Sequence, residues 1–263
     1  MKNVFTALLF VFSISCFAQF DDQFYFPSKD LKPLEFSDYE KVPVLVENDT
    51  LQNIFLKPKG KAKATVIFFQ GNGGNYTDYQ VITKPLVDDG YQVFMVSFRG
   101  YGASSGKPTH LNIASDSEKI FETVSNRPDV KNTKIIVYGT SIGCQIATNF
   151  TKKFQSKISA LVLDSGFASF TDIALSLRPA EQHAIIKMYL TSPYSSKEDI
   201  KSIENVKLLV IQSKSDTVVP FEQGKLVFDN AKMPKTFLEY SGGHIEAMKL
   251  DPKTIVKAIN GLL

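Results

Sequence analysis

The stretch "VYGTSIG", residues 137–143, sets a serine between two glycines, after an apolar run and before a segment with helical periodicity. This is the pattern of a nucleophile elbow, a strand-to-helix turn so tight that Gly139 and Gly143 must let neighbouring backbone pass. Such a turn raises Ser141 Oγ clear of a sheet. It also leaves the N–H of Ile142 at a helix N-terminus, facing any negative charge that develops beside the serine. The plain alternative is a serine that caps a helix; the flanking strand and helix patterns favour the chemical reading. A serine hydroxyl needs a base, and the chain has three histidines. His110, in "KPTHLN", reads as a capping or surface residue, and His183 lies in a helical pattern far from any strand end. His244 follows the last apolar run inside a glycine turn, "YSGGHIEA", where an imidazole can be aimed. For the carboxylate that orients the base, Asp216 in "QSKSDTVVP" follows a strand, and Asp164, at the end of another, competes with it. The order Ser141, Asp216, His244 is the order that belongs to one fold.

A second feature is the glycine loop "QGNGGNY", residues 70–76, after another apolar run. Its bare N–H groups suit either a phosphate or the oxyanion of a reaction intermediate. The third glycine of a dinucleotide fingerprint would fall at Tyr76, so that fingerprint fails. The isolated histidines and the absence of a cysteine cluster give no metal-ligand spacing. The 30 basic and 27 acidic residues, net +3, are interspersed. The basic cluster at residues 57–63 alternates with Pro58, Gly60 and Ala62 and reads as a solvated turn; no aromatic-interleaved basic stripe suits nucleic acid.

These residues must be carried by a scaffold. With 263 residues, 43% of them hydrophobic, the chain is sized for one large core. Strand patterns at residues 66–69, 93–97, 135–138, 158–163, 208–212 and 236–240 alternate with helical patterns at 79–88, 111–124, 142–154, 221–228 and 255–263. Nearly all-apolar strands separated by helices mean a mostly parallel central sheet with helices on both faces, an α/β fold. Residues 42–46 and 51–56 flank "ENDT", and Asn48-Asp49 predicts a hairpin at an antiparallel N-terminal edge. Polar and glycine residues follow each strand, as a site beyond the carboxyl ends of a parallel sheet requires. Ahead of the fold, Lys2, a short apolar stretch and Cys16-Phe17-Ala18 form a secretory leader, residues 1–18, expected to be cut after Ala18. The domain is then 19–263 and the protein is exported, periplasmic or extracellular. Acylation at Cys16 is disfavoured by Ser13, which stands where an apolar residue is wanted. Without Cys16 only Cys144 remains, and no internal disulfide forms.

From about Thr65 to the C-terminus the chain resembles the alpha/beta-hydrolase superfamily. "QGNGGNY", "FRGYGASSG", "GTSIG", "SKSDTVVP" and "GGH" are similar to single-domain serine hydrolases related to depalmitoylating alpha/beta-hydrolase-domain enzymes and bacterial esterases. The resemblance implies a triad of Ser141, Asp216 and His244, and it implies that Gly71 and Asn72 supply an oxyanion N–H beside that of Ile142. It makes "RGYG" and the two serines after it structural. Departures stand at Gln70, where relatives carry histidine, at Ser97, where they carry aspartate, and at Gln212-Ser213, where they often carry histidine and glycine. None touches the triad.

About forty residues, roughly 165–203, intervene between two strand patterns, more than a crossover needs. They carry Phe167 and Phe170 among many apolar side chains and break at Pro179. Two short helices forming a small cap over an apolar acyl or alcohol pocket are expected, with Phe167 and Phe170 against substrate; packing of a plain crossover helix is the alternative. The expected activity is cleavage of a carboxylic ester or thioester, a small-molecule substrate, through an acyl-enzyme on Ser141. It needs no cofactor and no metal. A serine peptidase of the same fold, or a non-catalytic ligand-binding member, is the alternative.

Overall fold

The structure, a computed structural model, describes residues 21–263; the leader segment, its cleavage site and Cys16 lie outside the described residues. The main sheet runs β1 (Tyr39–Val46), β2 (Asp49–Leu56), β3 (Thr65–Phe69), β4 (Gln92–Val96), β5 (Ile135–Thr140), β6 (Ala160–Asp164), β7 (Lys207–Ser213) and β8 (Lys235–Tyr240). The helices are α1 (Gln80–Asp88), α2 (His110–Ser125), α3 (Gly143–Phe154), α4 (Phe170–Ser176), α5 (His183–Tyr189), α6 (Phe221–Asn230) and α7 (Pro252–Asn260), with one-turn pieces between. The spatial order of strands is β8-β7-β6-β5-β3-β4-β2-β1. β3 to β8 are parallel to one another, and β1 and β2 form the antiparallel edge.

Strand side chains alternate between two faces, and in the central strands β3 to β7 both faces are buried. Ile67, Phe69, Val137 and Leu163 pack into one core with Ile113 and Ile120 of α2 and Phe150 of α3. Val66, Phe68, Tyr138 and Val162 pack into the other with Ile82 and Leu86 of α1 and Ile255 and Ile259 of α7. This two-sided burial is why the parallel strands read as unbroken apolar runs. Helix starts follow local chemistry. Thr109 caps α2 in a reciprocal box with Asn112, Ser169 caps α4, and Asp251 caps α7 with Pro252 in its first turn. α7 therefore starts three residues before its apolar stripe.

The sheet register aligns the strand ends that carry chemistry. Phe69 is opposite both Val96 and Gly139, Thr140 is opposite Asp164, and Ser213 is opposite Tyr240. The chain leaves β3 toward β4 on one side and takes up β5 on the other, so the crevice of the switch point opens between the loops after β3 and β5.

Two local expectations are corrected. The hairpin turn is Glu47-Asn48, one residue before the Asn48-Asp49 pair, and Glu47 takes the left-handed φ of +52°. His110 is neither cap nor surface: Thr109 is the cap and His110 is only 6% exposed. Its ring lies against Phe170 with centroids 3.7 Å apart, and its Nδ1 is hydrogen-bonded with the Tyr25 hydroxyl at 2.9 Å. A polar ring at the start of an amphipathic helix looks solvent-facing until the N-terminal segment is known to cover it.

Burial pushes His110 down to about 3 from its ordinary value of 6.5, so it is neutral in the folded protein at working pH. A lowered histidine pKa means the unfolded chain binds the proton first. The stability this residue contributes is complete above pH 6.5 and is lost as pH falls toward 3. Denaturant titrations at pH 7 and pH 4 should show a loss for the wild type that is smaller in His110→Phe by roughly 1–3 kcal/mol. Equal losses in the two proteins would contradict this burial.

Candidate active site

The elbow is built by close backbone contact. Gly139 has no room for a side chain, since a Cβ there would lie 2.6 Å from Gly143 O and 2.8 Å from Ala147 Cβ. A Cβ on Gly143 would lie 2.3 Å from Phe69 O and 2.5 Å from Gln70 O. The second contact holds the turn after β5 against the loop after β3. Ser141 takes φ +52° and is 6% exposed, and its N–H donates to Asp164 O at 2.9 Å. A non-glycine residue in the left-handed region costs about 1–3 kcal/mol.

Ser141 Oγ lies 2.9 Å from His244 Nε2, and His244 Nδ1 lies 2.7 Å from Asp216 Oδ2. With its proton on Nδ1, the imidazole donates to the carboxylate and accepts from the serine. Asp216 has a fully buried side chain, and its Oδ1 accepts from Val218 N at 2.8 Å and Val219 N at 2.9 Å. Burial pushes the Asp216 carboxyl up, but the bonds from His244 and the two main-chain amides outweigh it and leave the group below its ordinary value. It is therefore a carboxylate.

Asp164, the competing acid, makes no hydrogen bond to His244. It accepts from Tyr138 Oη at 2.9 Å and from Ser165 Oγ at 3.0 Å, and full burial raises it to about 6. Its role is indirect. Ser165 Oγ accepts from Ile245 N at 3.1 Å, Ser213 Oγ donates to Gly242 O at 2.6 Å, and Tyr240 Oη donates to Gly243 O at 2.6 Å. The histidine turn is thus pinned from the ends of β6, β7 and β8. His183 stands apart at the start of α5, with Nε2 2.9 Å from Arg178 O.

Ser141, Ile142 and Asn72 line one cavity of about 420 Å³. Gly71 does not line it; a Cβ there would meet Tyr79 Oη at 2.5 Å, so Gly71 serves the packing of Tyr79 behind the loop. The cavity wall is apolar, with Phe167, Ile173 and Leu177 from the region of α4, Ile186 of α5, Leu190, and Val218-Val219 beside Asp216; Arg178 and Gln182 add polar groups. Phe167 lines it as expected. Phe170 does not: it is fully buried behind the wall, edge-on to Phe167 with centroids 5.7 Å apart. Gln23 and Phe24 also line the cavity. Nothing in the sequence motifs points to them, because their place depends on a chain crossing rather than on a strand end.

The alpha/beta hydrolase fold family model matches residues 64–184. The uncharacterized protein YfhR of Escherichia coli K12 is 30% identical over 231 residues, 85% of this chain and 80% of the relative. Protein bem46 of Schizosaccharomyces pombe is 31% identical over 201 residues, 74% of this chain and 67% of the relative. This chain belongs to the alpha/beta-hydrolase fold family. Among solved structures, the esterase Pf2001 of Pyrococcus furiosus superposes with a TM-score of 0.71 at 20% identity, covering 91% of this chain and 96% of that one. Acetyl xylan esterase 1 of Thermoanaerobacterium superposes at 0.64 and 20% identity, covering 95% and 93%.

Of the departures from the hydrolase pattern, Ser97 has a structural role and Gln70 is left without partners among the described residues. Ser97 N donates to Asn53 Oδ1 at 3.0 Å, and Ser104 Oγ lies 3.0 Å from Ser97 Oγ, so position 97 joins the loop after β4 to β2. The two serines after "RGYG" continue this seam: Ser104 Oγ accepts from Gln52 N and Ser105 Oγ from Thr50 N, both at 2.9 Å. Tyr101 of "RGYG" reaches the loop after β3, donating to Asn72 O at 2.5 Å. Gln70 is fully buried, and among the described residues its amide nitrogen and oxygen have no partner. An unpaired buried amide costs about 1–3 kcal/mol.

The strain at Ser141 gives a stability prediction. Ser141→Gly should raise the melting temperature relative to Ser141→Ala, by an amount equivalent to about 1 kcal/mol, since glycine alone takes the left-handed conformation freely. Equal melting temperatures would argue against a strained elbow.

Proposed function

We propose that this protein is a serine hydrolase that cleaves a carboxylic ester or thioester through an acyl-enzyme on Ser141. The observation that carries the reading is the hydrogen-bond chain Ser141–His244–Asp216, at 2.9 and 2.7 Å, opening on a cavity that Ile142 and Asn72 also line. As Ser141 Oγ attacks the substrate carbonyl, His244 Nε2 takes its proton. Asp216 holds the ring in the required tautomer and stabilises the imidazolium. The tetrahedral oxyanion is held by the N–H groups of Ile142, at the start of α3, and of Asn72. The imidazolium returns its proton to the leaving oxygen or sulfur, the acyl-enzyme forms, and water activated by the same base releases the acid.

The apolar wall contributed by α4 and α5 supports an acyl chain as the bound group. Residues 165–203 act as a cap that excludes water from the reacting centre. Two solved neighbours named as esterases add to the ester reading. Export after removal of residues 1–18 belongs to the same proposal and rests on the sequence of that segment.

Nitrophenyl butyrate hydrolysis tests the assignment. Ser141→Ala and His244→Ala should each lower kcat by about 10³-fold or more, while Asp216→Asn leaves the fold intact and costs a comparable factor. Retention of most activity in His244→Ala would overturn the assignment of that imidazole as the base.

A further inference from the structure

The N-terminal strap, residues 21–28, carries no catalytic motif, yet it is built into the site. Its strand residues Phe26–Pro27 pair in parallel with Gly73–Gly74 of the oxyanion loop. Phe26 N donates to Asn72 O at 2.8 Å, and Ser28 N donates to Gly74 O at 2.8 Å. The Asn72 carbonyl also accepts from Tyr101 Oη at 2.5 Å, so two donors fix the loop residue that lines the cavity. Between Phe24 and Phe26, Tyr25 is 4% exposed, with its hydroxyl 2.9 Å from His110 Nδ1. Farther back, Asp21 Oδ1 accepts from His110 N at 3.2 Å.

Phe24 therefore sits beside two anchors, Tyr25 on His110 and Phe26 on Asn72, with little freedom to turn away. Its ring is half-buried and lines the cavity that holds Ser141. Behind it, Phe170 and His110 each lie 5.2 Å away between centroids in edge contacts, and Phe170 itself is fully buried. The ring is thus backed by rigid aromatic packing, and its open face is turned to the space an acyl chain would fill. A packing residue would be covered on all sides; a wall residue is covered on one.

We propose that Phe24 is the residue that sets acyl-chain length at this site, and that the strap's pairing with Gly73–Gly74 holds it at a fixed distance from Ser141. The proposal rests on the ester or thioester reading for its kinetic consequence, but not for its binding consequence. Discrimination per methylene in an apolar pocket is about tenfold or more, so a change in wall position is read directly in the chain-length profile.

The test has two arms. In the first, Phe24→Ala should raise the ratio of kcat/KM for nitrophenyl decanoate over nitrophenyl butyrate by about tenfold or more. Phe24→Trp should lower that ratio. The second arm needs no catalysis. The natural chain has no tryptophan, so Phe24→Trp combined with Ser141→Ala carries a single indole on the cavity wall. Titration with decanoate should produce a saturable change in its emission. An unchanged chain-length ratio in both variants, or an emission that decanoate leaves unaltered, overturns the proposal. A saturable emission change in a protein whose wild type cleaves no ester would uphold Phe24 as an acyl-wall residue and reject the hydrolase reading instead.

Discussion

The site depends on one steric constraint: the main chain around Gly143 passes so close to Phe69 and Gln70 that no side chain fits between them. That contact joins the serine turn after β5 to the loop after β3. The Ser141 turn and the loop at residues 70–74 are thereby held side by side, and the parallel register sets Phe69 opposite Gly139. The same tightness forces Ser141 into its left-handed conformation. The cost is local strain, and the return is a hydroxyl fixed at the opening of a cavity with helix α3 behind it. The other two functional side chains are added to this centre by hydrogen bonds, not by packing. Asp216 is held by two main-chain amides, and the His244 turn by Ser165, Ser213 and Tyr240.

Two buried carboxylates lie beside that centre, and their surroundings send them in opposite directions. Asp216 has an imidazole and two amides directed at its oxygens and stays ionised although buried. Asp164 has only two hydroxyls and complete burial, and its pKa rises to about 6. His244 nearby lowers Asp164, whereas the Asp216 charge raises it, and burial outweighs both. The two acids read alike in sequence, each at the end of a strand. The number and charge of their partners separate them: His244 and the turn at Val218-Val219 serve Asp216, Tyr138 and Ser165 serve Asp164.

Much of the fold is legible in the sequence because its signals are local or repetitive. Apolar runs mark the central parallel strands β3 to β7, since burial on both faces demands them, and glycine spacing marks the elbow. The residues that sequence misplaces are those whose surroundings come from distant chain. His110 looks solvent-facing because its cover, Tyr25 and Asp21, comes from the N-terminal segment. Phe170 reads as a substrate-wall residue beside Phe167, but it lies one layer behind. Gly71 and Asn72 stand side by side in the sequence, and only the fold shows that Asn72 lines the cavity while Tyr79 fills the space beside Gly71. Phe24 carries no signal at all, because a wall residue on a crossing segment has neither periodicity nor motif.

On the proposed mechanism, the His244 imidazole 2.9 Å from Oγ and the strained elbow together should make Ser141 an activated nucleophile. Incubation of the folded protein with a fluorophosphonate, followed by intact-mass measurement and peptide mapping, tests this most directly. We predict one adduct per chain, carried on Ser141 and absent from Ser141→Ala. A folded wild-type protein that stays unlabelled, or an adduct on another residue, would contradict it.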